Sequence, residues 1–302
     1  MSMNDLPPGP AVMADQGVPR RKLPPALSRL RGRLRDPIGM IGVVIIVCTV
    51  LAAVLGPVIW RIDYASEAYG RLTAPSLSHP MGTDELGRDV LSRVLHGAQV
   101  SLEIGIISVG IALVLGTAAA LAAVFYGTVV DAVLMRLVDI LFAFPGLILA
   151  ILIAGLLGPS RTHTMMAIGL VYAPAFARVA RASAMETMAQ PFVEAVRSLG
   201  ATQTRLMIRH VVPQLLSPLI VLSTIYLSTA ILTEASLSYI GLGTQPPEPS
   251  WGSMLFAAET YMQLAPWLAI FPGLAIMITI LGFNFIGDWL RDVLDPRMGV
   301  PL

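Results

Sequence analysis

The stretch 82–89, Gly-Thr-Asp-Glu-Leu-Gly-Arg-Asp, comes nearest in spacing to a known catalytic device. A phosphate-cradling loop pairs its two glycines with a lysine that reaches the β- and γ-phosphates and a hydroxyl that ligates Mg2+. Here Arg88 stands at the lysine position and Asp89 at the hydroxyl position, while Asp84 and Glu85 would repel phosphate. Lys22, the only lysine in 302 residues, lies in no glycine loop. Nucleotide hydrolysis is therefore not expected of this chain. The histidines at 79, 96, 163 and 210 show no ligand spacing, so no metal site is expected, and nothing marks a nucleophile or any other catalytic residue. Cys48 is the only cysteine, which excludes an intrachain disulfide. The 82–89 stretch reads better as a helix start. Thr83 is a candidate N-cap, with Asp84 and Glu85 at the positive end of the dipole. Val90, Leu91, Val94 and Leu95 then form an apolar face opposite Arg88, Asp89 and Arg93. That pattern predicts an amphipathic helix over 83–96, lying at a membrane interface.

Four ionisable residues within apolar runs are the next candidates: Glu103, Arg136, Asp139 and Glu234. A charge at the bilayer centre costs roughly 2.5–3.5 kcal/mol, so each needs a partner or water. Arg136 and Asp139 are three apart and can pair on one helix face. Glu103 and Glu234 lie nearer the outer ends of their runs. Each is a candidate for lining a water-filled path, for snorkelling or for a helix–helix contact.

The elements that must position these groups follow from composition. The chain is 55% hydrophobic and 13% charged, against about 25% charge in soluble domains, so it is expected to be a membrane protein. A bilayer core of about 30 Å takes roughly 20 apolar residues in a helix, and backbone groups in lipid must pair within their segment. Six segments qualify: 38–60, 100–126, 138–157, 164–185, 212–240 and 264–287. The expected fold is an all-α membrane protein of six transmembrane helices. Its divisions are a basic, Pro/Gly-rich tail at 1–37, a first helix at 38–60 and an external loop at 61–99. A core of five helices at 100–287 and a short end at 288–302 complete it. Pro145, Pro174, Pro218 and Pro272 fall inside or near spans, where proline is tolerated. With the N-terminus inside, fifteen of the 20 Lys and Arg lie on the cytoplasmic side, so both termini are expected there. Arg178 and Arg181 join that count at the inner end of the fourth span. The basic cluster from Arg20 to Arg35 reads as an anchor near anionic lipid, not a nucleic-acid site.

Between the fourth and fifth spans runs QPFVEAVRSLGATQTRLMIRHVVP, residues 190–213. Gln190 and Pro191 suit the N-cap and first position of a helix. Phe192, Val193, Val196 and Leu199 recur at helical spacing. Gly200 supplies a left-handed stop, and Thr202 a cap for a second helix leading towards Pro213. The stripe must bury against the protein's own spans, the membrane surface or a groove on a cytoplasmic partner.

Glu194-Ala195-Val196, three residues, Gly200, nine residues, then His210-Val211-Val212-Pro213 resembles the EAA loop of ATP-binding-cassette importer permeases, E-A-A-x3-G-x9-I-x-L-P. Val196, His210 and Val212 depart from it. The 79–105 stretch and the motifs LSYIGLGTQPPEPSWGSML and GDWLRDVLDPR resemble the C-type permease subunit of dipeptide and oligopeptide (peptide/nickel) importers. The resemblance covers about residues 38–297. It implies a type I importer permease fold in a bacterial inner membrane and a coupling role for Phe192, Glu194, Ala195, Arg197, Gly200 and Pro213. It implies a homologous second permease as heterodimer partner, two ATP-binding subunits at the cytoplasmic face that carry ATP and Mg, and an external substrate-binding protein. The 83–96 segment is a rival contact for that protein. Small peptides are the implied cargo; glutathione, nickel chelates, haem and opine-like compounds use similar permeases. An ion-coupled secondary carrier is the alternative of a different class, but no internal repeat or central carboxylate cluster favours it.

Overall fold

The computed structural model describes residues 36–294. The basic segment at Arg20–Arg35 and the residues after 294, Arg297 among them, lie outside that range. Among the described residues the regular structure is helical, apart from one isolated bridge between Thr83 and Asp89. The helices are α1 (Pro37–Ile59), α2 (Val90–Tyr126), α3 (Thr128–Phe142), α4 (Gly146–Leu157), α5 (Arg161–Met188), α6 (Pro191–Ser198), α7 (Gln203–Leu206), α8 (Val212–Tyr239), α9 (Trp251–Glu259) and α10 (Trp267–Leu294). A π-helical turn, Met207–Val211, joins α7 to α8. Five helical segments are long and apolar enough to cross a membrane, α7 to α8 counting as one. The pair α3–α4 makes a sixth if taken as one span.

Helices α2, α5 and α8 form the centre, around fully buried Ile104, Ile168, Phe176 and Leu215. Small residues let the backbones approach, as membrane helices require when there is no water to expel. At Gly116 of α2 a Cβ would lie 2.4 Å from the Ala173 carbonyl oxygen and 2.6 Å from Phe176 Cβ. Gly116→Val is therefore expected to destabilise the detergent-solubilised protein by about 1–3 kcal/mol, the range for overpacking. An unchanged melting temperature would mean that α2 and α5 can separate freely. Outside this core α1 packs on α2 and α10, with Gly39 against the Trp289 ring, so Asp36 and Leu294 lie at the same end as the 190–213 loop.

Three sequence expectations need correction. Residues 138–157 are not one helix: α3 and α4 meet at 94°, with the break at residues 143–145. Pro145 has no N–H to give and forces its predecessor out of the helical region. There is also no separate amphipathic helix at 83–96. The true N-cap is Asp89, whose carboxylate accepts the Ser92 N–H at 2.8 Å, and α2 runs from Val90 without interruption. Thr83 instead donates to the Gly70 carbonyl at 2.6 Å and accepts the Thr73 N–H at 2.8 Å. Its neighbours Arg88, Asp89 and Arg93 are buried, because the surrounding loop supplies their counter-charges. Finally, α9 arises where only a loop was expected. Ser250 and Ser253 cap one another reciprocally, and the Trp251 indole N–H reaches the Val94 carbonyl at 3.1 Å.

Candidate functional site

Helix α6 begins and stops by local rules. Gln190 is extended, Pro191 fills the first helical position, and Gly200 takes φ +82°. The Gly200 N–H bonds Arg197 O at 2.9 Å and the Ala201 N–H bonds Val196 O at 3.3 Å. That doubly bonded left-handed stop satisfies carbonyls that a helix end otherwise leaves open. Thr202 Oγ1 then accepts the Arg205 N–H at 3.3 Å and starts α7. The π turn falls just before Pro213. Its ring would crowd the carbonyl four residues back, and the wider turn, with Val212 N–H on Met207 O, relieves this. The loop is thus joined to α8 by unbroken helical backbone.

The apolar stripe divides. Val193 is fully buried within the chain and Val196 half-buried, whereas Phe192 is 40% and Leu199 88% exposed. Phe192, Ala195 and Leu199 lie at i, i+3 and i+7 on the open side. Glu194 and Arg197 are also exposed, the latter reaching Gln203 Oε1 at 3.4 Å. The loop therefore both packs on its own spans and presents an apolar face to whatever docks. Phe192 also meets the His210 ring, with 6.0 Å between centroids.

Above this helix a cleft of about 1010 Å³ opens between α5, α8 and α10, bordered by Gln190, Phe192, Glu186 and Arg291. A second cleft of about 420 Å³ lies at the far end, between α4, α8, α9 and α10. Both are on one face of α8. Pro218, Val221 and Ile225 line the first, Leu232, Ser236 and Tyr239 the second, and exposed Thr229 stands between them. Residues three and four apart share a helix face, so this is a single open stripe along a whole span. None of these residues was a sequence-level candidate. An uncovered Ile/Leu stripe in a span looks the same in sequence as a lipid-facing one.

The four charged candidates do not converge there. Glu234 has no exposure. It accepts the Ser101 hydroxyl at 3.0 Å and the Ser238 hydroxyl at 2.7 Å, fastening α8 to α2. It is a helix–helix contact, not part of an open path in this chain. Glu234→Leu is expected to lower the melting temperature, since removing the acceptor costs about 1–3 kcal/mol where a buried donor is stranded. Solute affinity should be unchanged; altered affinity with unchanged stability would restore the path-lining role. Glu103 pairs with Arg161, which also reaches Glu248 at 3.5 Å, at the far end. Asp139 does not pair with Arg136 as expected; it accepts from Arg178 at 2.7 Å, whose guanidinium also stacks 3.9 Å from the Phe142 ring centre. Arg181 makes a two-bond contact with Asp131, at 2.6 Å for Nη2. Both arginines thus tie α3 to α5, a pairing no local spacing could announce. Arg136 borders a shallow depression on α3, with Met135 and Asp139, away from the α8 stripe.

At the far end, the segment between α1 and α2 holds a closed ionic knot. Asp84 accepts Arg88 Nε at 2.6 Å and the Leu86 and Arg88 N–H groups, and lies 3.5 Å from Arg93 Nε. Glu85 takes Arg88 Nη2 at 3.0 Å. Asp89 receives the Trp60 indole at 2.8 Å and contacts His79 Nδ1 at 2.8 Å. The groups that spoil a phosphate loop are here one another's partners.

Comparison with known proteins agrees with this layout. The family model for the binding-protein-dependent transport system inner membrane component matches residues 112–300. The dipeptide transport system permease protein DppC of Alkalihalophilus pseudofirmus is 40% identical over 265 residues, 87% of each chain. The glutathione transport system permease protein GsiD of Escherichia coli O6:K15:H31 is 40% identical over 268 residues, 87% of this chain and 88% of its own. Among solved structures, the inward-facing MetNI methionine ABC transporter superposes with a TM-score of 0.55 at 19% identity, over 66% of this chain and 95% of that one. At that identity the likeness concerns the fold.

Proposed function

This chain belongs to the family of binding-protein-dependent transport system inner membrane components, the multi-pass permeases of ATP-binding-cassette importers, and from that premise we propose that it carries small peptides inward by alternating access. The observation that carries the proposal is the 40% identity to DppC over 87% of both chains. In this reading the permease pairs with a homologous second permease, two ATP-hydrolysing subunits dock from the cytoplasm, and an external binding protein delivers the solute. Both termini and the 190–213 loop are cytoplasmic, supported by the bias of Lys and Arg towards that side.

Coupling runs through α6. Phe192, Ala195 and Leu199 seat in a groove of the ATPase, with Glu194 and Arg197 at the rim, in the helix-in-groove manner. Val193 anchors the same helix to the permease. Closure of the ATPases on ATP pushes α6. The Gly200 stop and the helical run through Pro213 pass that push to α8, which lines both clefts. No atom of this chain needs to touch nucleotide.

A second reading, glutathione as the cargo, is favoured by GsiD at the same identity and coverage. Both solutes are short peptides with charged ends, so one measurement separates them. The full complex in vesicles should accumulate a labelled dipeptide with ATP. Preferential uptake of glutathione would select the second reading. Accumulation by this chain alone on an ion gradient would overturn both.

A further inference from the structure

The middle of the α8 stripe differs from its ends. The cleft near α6 is bordered by Glu186, Arg291, Gln190 and Gln214, and charged groups facing hydrocarbon are costly. That end of the stripe therefore faces water. Between the clefts stand Ile225, Thr229 and Leu232, all exposed, spanning about 10 Å of helix. The Thr229 hydroxyl bonds back to the Ile225 carbonyl at 3.2 Å, and Ser236 does the same to Leu232 at 2.8 Å. The middle thus offers passing solute neither a charge nor an unengaged hydroxyl. A constriction of that kind closes by losing its water.

We propose that Ile225, Thr229 and Leu232 are this chain's half of an apolar waist in the solute path, opposed by the second permease. The waist sorts by width and hydration and not by the sign of charge, so its solute class is peptide backbone with variable side chains. This rests on the importer reading above and assigns residues within it. Lipid is the competing occupant of the stripe, and the two differ in how they treat a thiol. In lipid a thiol stays protonated and slow, whereas in water it ionises and reacts.

The test uses the whole complex with this chain carrying Cys48→Ser and either Thr229→Cys or Ile220→Cys. Ile220 is exposed half a turn round α8 from Thr229. After assembly the complex is treated with a cationic or an anionic methanethiosulfonate, and modification of this chain is followed by mass spectrometry. Thr229→Cys should react at least about tenfold faster than Ile220→Cys, the effect of one unit in thiol pKa. The anionic adduct should then depress uptake of anionic dipeptides about tenfold more than that of cationic ones, and the cationic adduct the reverse. Equal reactivity at the two sites would give the stripe to lipid and overturn the waist. So would fast reaction at Thr229→Cys with unchanged uptake. Absence of ATP-driven peptide uptake in the Cys48→Ser parent would instead sink the importer reading, and the waist with it.

Discussion

Gly200→Pro should reduce ATP-driven uptake to background while the chain still inserts and its spans still pack. Proline fixes φ near −65°, and Gly200 sits at +82°. The substitution also removes the N–H that holds the Arg197 carbonyl. Both effects act on the stop that sets the angle between α6 and the run into α8, at a cost of about 3 kcal/mol. The lesion is local, because a Cβ at Gly200 would find no atom within 4 Å. Gly200→Ala tests the same point more gently. It meets only the left-handed backbone penalty of about 1–2 kcal/mol and should give partial loss. Glu194→Lys and Leu199→Asp separate docking from loop shape. Both side chains are exposed, so melting should be unaltered while ATPase association and uptake fall. A buried anchor is worth about 2 kcal/mol or more, roughly thirtyfold in affinity, if Leu199 is one. Normal uptake in Glu194→Lys, Leu199→Asp and Gly200→Pro together would remove the coupling role from this loop.

Asp84→Ala should be the most destabilising single change outside the helical core. It leaves Arg88 with Glu85 alone and Arg93 buried beside another guanidinium. Breaking a buried pair by deleting one partner costs about 3–5 kcal/mol, since the surviving charge stays desolvated. The loss should persist at high salt, because ions screen exposed pairs and reach buried ones poorly. Arg93 is also held by the Tyr64 carbonyl at 3.2 Å, so the same change should loosen the segment that leads into α2. The readout is the melting temperature of the purified chain in low and high salt. A shift that vanishes at high salt would mean that water already reaches the knot.

The sequence by itself determined the helical membrane class, because a bilayer admits few ways to satisfy backbone groups and the apolar runs have the length to span it. It also determined the start and stop of α6. The residues that set them, Gln190, Pro191, Gly200 and Thr202, act within a turn of themselves, and the structure shows each in that place. The family was legible for the same reason, since the 190–213 motif is a local pattern.

Only the tertiary structure decided what depended on distant partners. Asp139 faces Arg178, 39 positions away, and not Arg136, three away. Glu234 looked like a path residue until Ser101, 133 positions away, closed over it. Thr83 looked like a cap until the loop from Gly70 to Thr73 claimed its hydroxyl. The open stripe on α8 is the plainest case. Whether Ile225 and Leu232 meet lipid, protein or a solute path is set by which helices stand beside them, and no periodicity within α8 carries that information.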